Sequence, residues 1–120
     1  MERVEIFSPF LFLSQSHERR SFVKEKENQF QARLIKDLKH RFPGCIILKN
    51  DPGYLQGFPD LTILYGNHWA VLECKRSDSS SHQPNQDFYI SKANEMSFGR
   101  FISPENKKEV LNELQSAFRS

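Results

Sequence analysis

Residues 59–75 read PDLTILYGNHWAVLECK and contain the strongest structural signal in the chain. Two runs rich in β-branched, aromatic and other apolar residues, 61–65 and 68–72, flank Gly66-Asn67. Two turn-forming residues between such runs are typical of a β-hairpin. If Gly66 and Asn67 form the turn, Tyr65 pairs with His68. The same register then places Asp60 opposite Glu73, on one face of the sheet.

Two opposed carboxylates repel each other, and something must offset that repulsion. At about 4 Å and an effective dielectric constant near 20, the repulsion is roughly 4 kcal/mol. A bound divalent cation, a shared proton or a nearby lysine would offset it, and Lys75 lies on the same face as Glu73. Carboxylates of Asp60 and Glu73, the backbone carbonyl of Cys74 and water suit Mg²⁺. Lys75 would then hold or activate a water molecule.

The rest of the chain predicts helices and strands in the order α-β-β-β-α-β-α. Apolar residues at helical spacing predict a helix over residues 24–41, and Pro43-Gly44 ends it. A short apolar run over 45–48 predicts a buried strand, and residues 50–58 form a loop rich in turn residues. Further predictions are a helix over 84–96 with Phe88, Tyr89, Ala93 and Met96 as buried candidates, a strand over 98–102, and a last helix with Val110, Leu111, Leu114 and Phe118 buried. The predicted fold class is α/β, a single domain with a mixed sheet covered by helices on both faces.

A third acid, Glu27, precedes Phe30, Leu34 and Leu38 at intervals that place it on the buried stripe of the first helix. A carboxylate on that side needs a cation or hydrogen-bond donors. We therefore expect Glu27 to reach the metal directly or through water. Alternatively, it is an exposed acid favoured by the helix dipole.

Each other candidate also has a plain structural alternative. Asp60 after a proline is suited to capping a turn. Glu73 and Lys75 would be solvated on an edge strand, although the apolar run before them favours a central strand. Gln86 is equally suited to an exposed helix surface. Of the four histidines, only His82, near the start of the second helix, is placed to reach a substrate, and a solvated loop is the favoured alternative.

Composition limits the classes of protein that the chain can represent. Its 120 residues make one domain, and its net charge of +2 combines a basic first 50 residues with an acidic stretch over 51–80. No apolar run is long enough to span a bilayer, and no secretory signal is visible, so we expect a cytoplasmic protein with no membrane partner. Cys45 and Cys74 lack the spacing of a disulfide scaffold or a zinc site.

Pro59-Asp60, twelve intervening residues and Glu73-Cys74-Lys75 resemble the signature of the PD-(D/E)XK nuclease superfamily. The residues before Asp60 (Gly57-Phe58-Pro59) and the pair Gln83 and Gln86 are similar to its virus-type replication-repair (VRR) nuclease branch. The resemblance implies a restriction-endonuclease-like αβββαβ core. It also implies roles by position: Asp60 and Glu73 as metal ligands, Lys75 as the catalytic lysine, Glu27 as the helical acid and Gln86 as an accessory glutamine.

The resemblance and the residues together predict a Mg²⁺- or Mn²⁺-dependent DNA endonuclease that needs no nucleotide cofactor. Branched DNA is the expected substrate, as for Holliday-junction resolvases, in a bacterial cell or phage-infected host. Symmetric cutting of a junction needs two active sites, so we expect a homodimer. Residues 1–23 are expected to form an arm that could supply part of the dimer interface, and residues 24–120 the nuclease domain. Alternatives are a less selective or site-specific endonuclease and a non-catalytic nucleic-acid-binding or assembly factor.

Substrate contacts are expected from two groups of residues. Tyr54 and Phe58, in the loop before Asp60, would stack on a base or sugar, unless the loop is a plain connection. Basic residues would contact phosphates without reading sequence, and some would serve only solubility: Lys24, Lys26, Arg33, Lys36, Lys39, Arg41 and Lys49.

Overall fold

The computed structural model describes residues 10–119, and it describes side chains from residue 26 onward. The elements are α1 (Phe10–Arg41), β1 (Ile46–Lys49), β2 (Leu61–Tyr65), β3 (His68–Cys74), α2 (Pro84–Met96), β4 (Gly99–Ile102) and α3 (Lys107–Arg119). The predicted order of elements is confirmed. The molecule is an α/β domain with a four-stranded mixed sheet and three described helices.

The sheet has the strand order β1-β2-β3-β4. The first three strands are antiparallel neighbours, and β4 is parallel to β3. A parallel partner requires a crossover connection, which α2 supplies between β3 and β4. In the hairpin, Tyr65 pairs with His68 and Leu61 pairs with Leu72, so the predicted register is confirmed.

The helices lie on both faces of the sheet and separate the side chains of β3 into two groups. On one face, α1 and α3 form the main core with alternate residues of the strands, including Leu61, Leu72 and Cys74. On the other face, α2 packs on β3 and β4. A Cβ on Gly99 would lie 2.6 Å from the backbone oxygen of Ile90, which shows how closely α2 approaches β4. Glu73 and Lys75 alternate with Cys74 and therefore belong to the α2 face.

The predicted start of the first helix at Lys24 is wrong, because the backbone is helical from Phe10. Residues 10–23 contain no glycine or proline that would end a helix, and Pro9 directly precedes the first helical residue. Much of the predicted arm of residues 1–23 is therefore a continuation of α1. Residues 1–9, and the dimer contact that we assigned to the arm, lie outside the described residues.

Two predictions of burial are also wrong. On α2, the predicted burial of Ala93 is confirmed, but Phe88 and Met96 are 59% and 64% exposed, because the helix turns Ile90 towards the sheet together with Ala93. Strand β1 is an edge strand whose Ile46 and Leu48 are 56% and 47% exposed. They point to the α2 face, but α2 covers only β3 and β4, so the sheet is not covered fully on both sides. The four residues predicted to be buried on α3 are all buried.

Candidate functional site

The hairpin brings the two acids of the motif together at one end of the sheet. Asp60 directly precedes β2, and Glu73 follows Leu72, the last paired residue of β3 in the hairpin ladder. The Asp60 carboxylate accepts a hydrogen bond from the backbone N–H of Cys74 at 2.9 Å. The backbone N–H of Asp60 in turn donates to the Glu73 carboxylate. The two acids are thus coupled through backbone groups at the point where the β2–β3 ladder ends.

Glu73 is a buried acid in an unfavourable electrostatic environment. Its residue surface is only 6% exposed. Burial raises the pKa of Glu73 to about 8, and the negative charges of Asp60 and Glu27 contribute to that rise, whereas Lys75 opposes it. The charged form of Glu73 is therefore destabilised in the folded protein without a cation. A positive charge close to Asp60 and Glu73 would favour the ionised form.

Gln86 connects the acid and the lysine of the motif. It lies in the first turn of α2, where Pro84 occupies one of the first two helical positions. Its Nε2 donates to Oε2 of Glu73 at 2.9 Å, and its Oε1 accepts from Nζ of Lys75 at 2.8 Å. The same Oε1 also accepts from the backbone N–H of Gln83 at 3.0 Å. One amide group therefore fixes the spacing of Glu73 and Lys75.

The ammonium group of Lys75 is ordered at the site. The residue is 9% exposed, and Nζ donates to the backbone oxygen of Ser81 at 3.1 Å as well as to Gln86. An ammonium group carries three protons. These two hydrogen bonds leave one proton for a water molecule or a phosphate oxygen.

Asn50 is a structural contributor that the sequence did not reveal. Its backbone N–H donates to the backbone oxygen of Asp60 at 2.8 Å. Its side-chain Nδ2 donates to the backbone oxygen of Pro59 at 2.8 Å and to Oγ1 of Thr62 at 2.9 Å. Only the pairing of β1 with β2 could have indicated this role of Asn50. Lys49 lies opposite Leu61, and the next residue, Asn50, is therefore beside Asp60. Asn50 thus holds the Pro59-Asp60 segment in place.

Helix α1 contributes Glu27 to the edge of the site. Glu27 is half-buried, and its charge acts on the pKa of both Glu73 and Cys74. One turn later, the Gln31 side chain hydrogen-bonds the Cys74 thiol, whose pKa is raised by burial and by the charges of Asp60 and Glu73. Cys74 is part of the core on the α1 face, so its thiol is directed away from Lys75.

The loop before Asp60 packs against the start of α2. The ring centroids of Phe58 and Tyr89 are 5.5 Å apart at an edge-on angle, and Phe58 is half-buried. Gly57 has φ +88°, and a Cβ there would lie 2.3 Å from Cβ of Asn85. Tyr54 remains 87% exposed in the loop.

The basic candidates are more dispersed than the motif residues. The side chain of Lys24 lies outside the described part, and Arg41 is held by Oδ1 of Asn112 at 3.1 Å and Oε1 of Gln115 at 2.9 Å. A cavity of about 380 Å³ between α1 and α3 includes Arg41 but none of the motif residues. The remaining basic candidates are exposed: Lys26, Arg33, Lys36, Lys39 and Lys49.

Comparisons with known proteins do not assign the chain to a family. No family model, curated protein or solved structure matches it. Among residues 10–119, no group of three or more His, Cys, Asp or Glu side chains is arranged to hold a metal ion. The described helices include none that is both long and apolar enough to cross a membrane.

Proposed function

We propose that this protein is a Mg²⁺- or Mn²⁺-dependent endonuclease of the PD-(D/E)XK type that hydrolyses phosphodiester bonds in branched DNA. The observation that carries the proposal is the group formed by Asp60, Glu73, Lys75 and Gln86. A buried acid whose charge is unfavourable lies beside a second acid and is linked through one amide to an ordered lysine. Perturbed acids with a specific charged neighbour are a common mark of functional sites.

The donor set of the site fits a hard divalent cation. Mg²⁺ prefers oxygen ligands and keeps several of its water molecules, so one or two carboxylates are enough to bind it. Asp60 and Glu73 would supply the carboxylates, the backbone carbonyl of Cys74 a third oxygen, and Glu27 a contact through water. When bound, the ion would supply acidity to a coordinated water and positive charge against the phosphate. It would also remove the electrostatic penalty of ionised Glu73.

Two protons of the Lys75 ammonium group are donated to Ser81 and Gln86. With its third proton, Lys75 would orient the attacking water towards phosphorus. Gln86 would keep the ammonium group at a fixed distance from Glu73, and Asn50 would keep Asp60 in place. The oxygen of the water forms a new bond to phosphorus, and the bond from phosphorus to one sugar oxygen breaks. The electron pair of that bond goes to the leaving oxygen, which takes up a proton from solvent, while the attacking water gives up one of its protons to solvent.

The choice of branched DNA rests on the resemblance. Resolving a four-way junction requires two coordinated cuts, and a homodimer would provide them. Light scattering on the full-length chain and on a chain lacking residues 1–23 tests whether the arm carries dimerisation. A monomeric full-length protein would contradict the dimer.

A side-by-side cleavage assay tests the function directly. Four-way junction, flap, single-stranded and plain duplex DNA are incubated with wild type and with the variants Glu73→Gln and Lys75→Met. We expect Mg²⁺-dependent cutting of the junction by wild type only, while both variants still bind DNA. Glu95→Gln removes an exposed carboxylate of α2 and serves as the matched control. Equal cutting of all four DNAs removes the selectivity for branches, and wild-type activity of either site variant contradicts the catalytic assignment.

A second candidate is a nucleic-acid-binding or assembly factor without catalysis. It is favoured by the lack, among residues 10–119, of three acid, cysteine or histidine side chains arranged around one ion position. Calorimetric titration with Mg²⁺ and Mn²⁺ separates the two functions. DNA binding without any binding of either ion, and without cleavage, would favour the binding factor.

A further inference from the structure

His82, just before α2, contacts two side chains. Its ring stacks on Phe101, with centroids 3.7 Å apart and planes inclined by 16°. Its Nδ1 lies 2.9 Å from Oδ1 of Asp87. About a third of the side chain, 31%, remains exposed. The predicted position in a solvated loop is confirmed, since His82 lies in the exposed segment before α2, and the structure adds these two contacts.

The strand pairing places this imidazole next to the candidate active site. Phe101 of β4 is the register partner of Glu73, and partners in parallel strands share a face of the sheet. The imidazole of His82 therefore lies over Phe101, the cross-strand neighbour of Glu73. The residue before His82, Ser81, accepts the hydrogen bond from Lys75, and Asp87 directly follows Gln86.

The contact with Asp87 determines what the other ring nitrogen can do. A carboxylate accepts hydrogen bonds, so Nδ1 of His82 is the donor and Nε2 is directed away from Asp87. Nε2 is an acceptor in the neutral ring and becomes a donor when the ring is protonated. Charged residues on the segments around it are Asp87, Lys92 and Glu95 on α2, Arg100 beside Phe101 on β4, Glu73 on β3 and Lys75 directly after β3. The N-terminus of α2, a helix of 13 residues, adds positive potential that favours an anion.

We propose that protonated His82 binds a phosphate of the DNA strand beside the bond that is cut, with Nε2 as the donor. The proposal rests on the proposed function, since it names a substrate contact of the same site. Because Phe101 and Asp87 already fix the ring, little side-chain entropy is lost when phosphate binds. DNA affinity then increases as the ring becomes protonated.

The test measures binding of a fluorescently labelled four-way junction by anisotropy, in EDTA and between pH 5.5 and 8.5. Wild type should bind more weakly as the pH rises. The carboxyl of Glu73, with a pKa of about 8, contributes to this in wild type and in His82→Gln alike, so the part of the pH dependence that His82→Gln loses should have the midpoint of the His82 imidazole titrated by NMR. His82→Gln should bind roughly tenfold more weakly than wild type at the acidic end, as for one lost charge-assisted hydrogen bond, and converge with it at the basic end. The slope of log affinity against log salt concentration should be shallower for His82→Gln, by the contribution of about one phosphate contact.

Two further variants keep the test decisive. His40→Gln removes an exposed histidine of α1 and should retain the pH dependence of wild type. Asp87→Asn keeps an acceptor for Nδ1 without its charge, so the NMR midpoint and the binding midpoint should move together to lower pH. That variant carries the test if His82→Gln fails to fold.

The outcomes distinguish this inference from the proposed function. If His82→Gln or Asp87→Asn keeps the pH dependence of wild type, the phosphate contact is refuted, whether or not the protein cuts DNA. If wild type fails to bind DNA at every pH, the proposed function itself is contradicted.

Discussion

Replacing Glu73 with glutamine should stabilise the protein at alkaline pH. The carboxyl of Glu73 has its pKa raised from 4.5 to about 8 in the folded state. Between those values the folded state binds a proton that the unfolded chain has released. The free energy of unfolding therefore decreases as the pH rises through this window. At about 1.36 kcal/mol per pKa unit, the whole shift corresponds to on the order of 5 kcal/mol.

Relaxation around an ionised Glu73 reduces that figure, so we expect wild type to lose about 2–4 kcal/mol of unfolding free energy from this group between pH 5 and 9. Glutamine carries no charge at any pH, and its oxygen can still accept from Nε2 of Gln86. Glu73→Gln should therefore equal wild type near pH 5, to within about 1 kcal/mol, and exceed it by about 2–4 kcal/mol at pH 9.

The assay is urea denaturation of wild type, Glu73→Gln and the control Glu95→Gln at pH 5, 7 and 9, with EDTA. The exposed control should follow wild type at every pH, so that the difference between the variants isolates Glu73. Repeating the series with Mg²⁺ should reduce the loss for wild type only. A wild type and a Glu73→Gln variant with the same pH dependence would refute the electrostatic account of the site.

Three further perturbations have defined outcomes. Mg²⁺ should displace the proton of Glu73, so its binding should release close to one proton at pH 7, and the Mg²⁺ affinity should rise about tenfold per pH unit below 8. Calorimetry in buffers of different ionisation enthalpy measures the number of protons released. Binding without proton release would contradict the prediction. Gln86→Ala should lower the cleavage rate by about 10–100-fold and leave the DNA affinity unchanged, as for other residues that orient ligands. An unchanged single-turnover rate would exclude a role of Gln86 in positioning Glu73 and Lys75. Gly57→Ala should destabilise the fold by about 1–3 kcal/mol more than Gly66→Ala in thermal melts. Both positions have positive φ, but only Gly57 abuts Asn85. Equal losses of stability in the two variants would count against this packing.

Local patterns in the sequence predicted the hairpin and the last helix well. Strand side chains alternate with a period of two and the turn is two residues long, so Gly66 and Asn67 are sufficient to define the register. The stripe of α3 is similarly local, since residues three and four apart on a helix share a face. The adjacency of Asp60 and Glu73 follows from the same local rule, because the hairpin register alone sets which residues face each other.

Contacts between distant segments could not be predicted in this way. The pattern of α2 contains two apolar faces, and the choice of Ile90 over Phe88 depends on where the helix crosses β3 and β4. Asn50 and His82 acquire their roles from contacts with Pro59 and Phe101, which no local periodicity reports. The resemblance named Gln86, but only the fold explains how a glutamine on one helix reaches both Glu73 and Lys75.

The tight turn at Gly66-Asn67 controls the chemistry from the opposite end of the hairpin. It lies five strand residues from Asp60, which is about 17 Å at the usual rise per residue. A change at this turn that slipped the pairing by one residue would move every side chain of β2 to the opposite face. Asp60 would then leave the side of Glu73 although neither residue had been changed. The geometry of this remote surface turn therefore matters to the site as the acids themselves do.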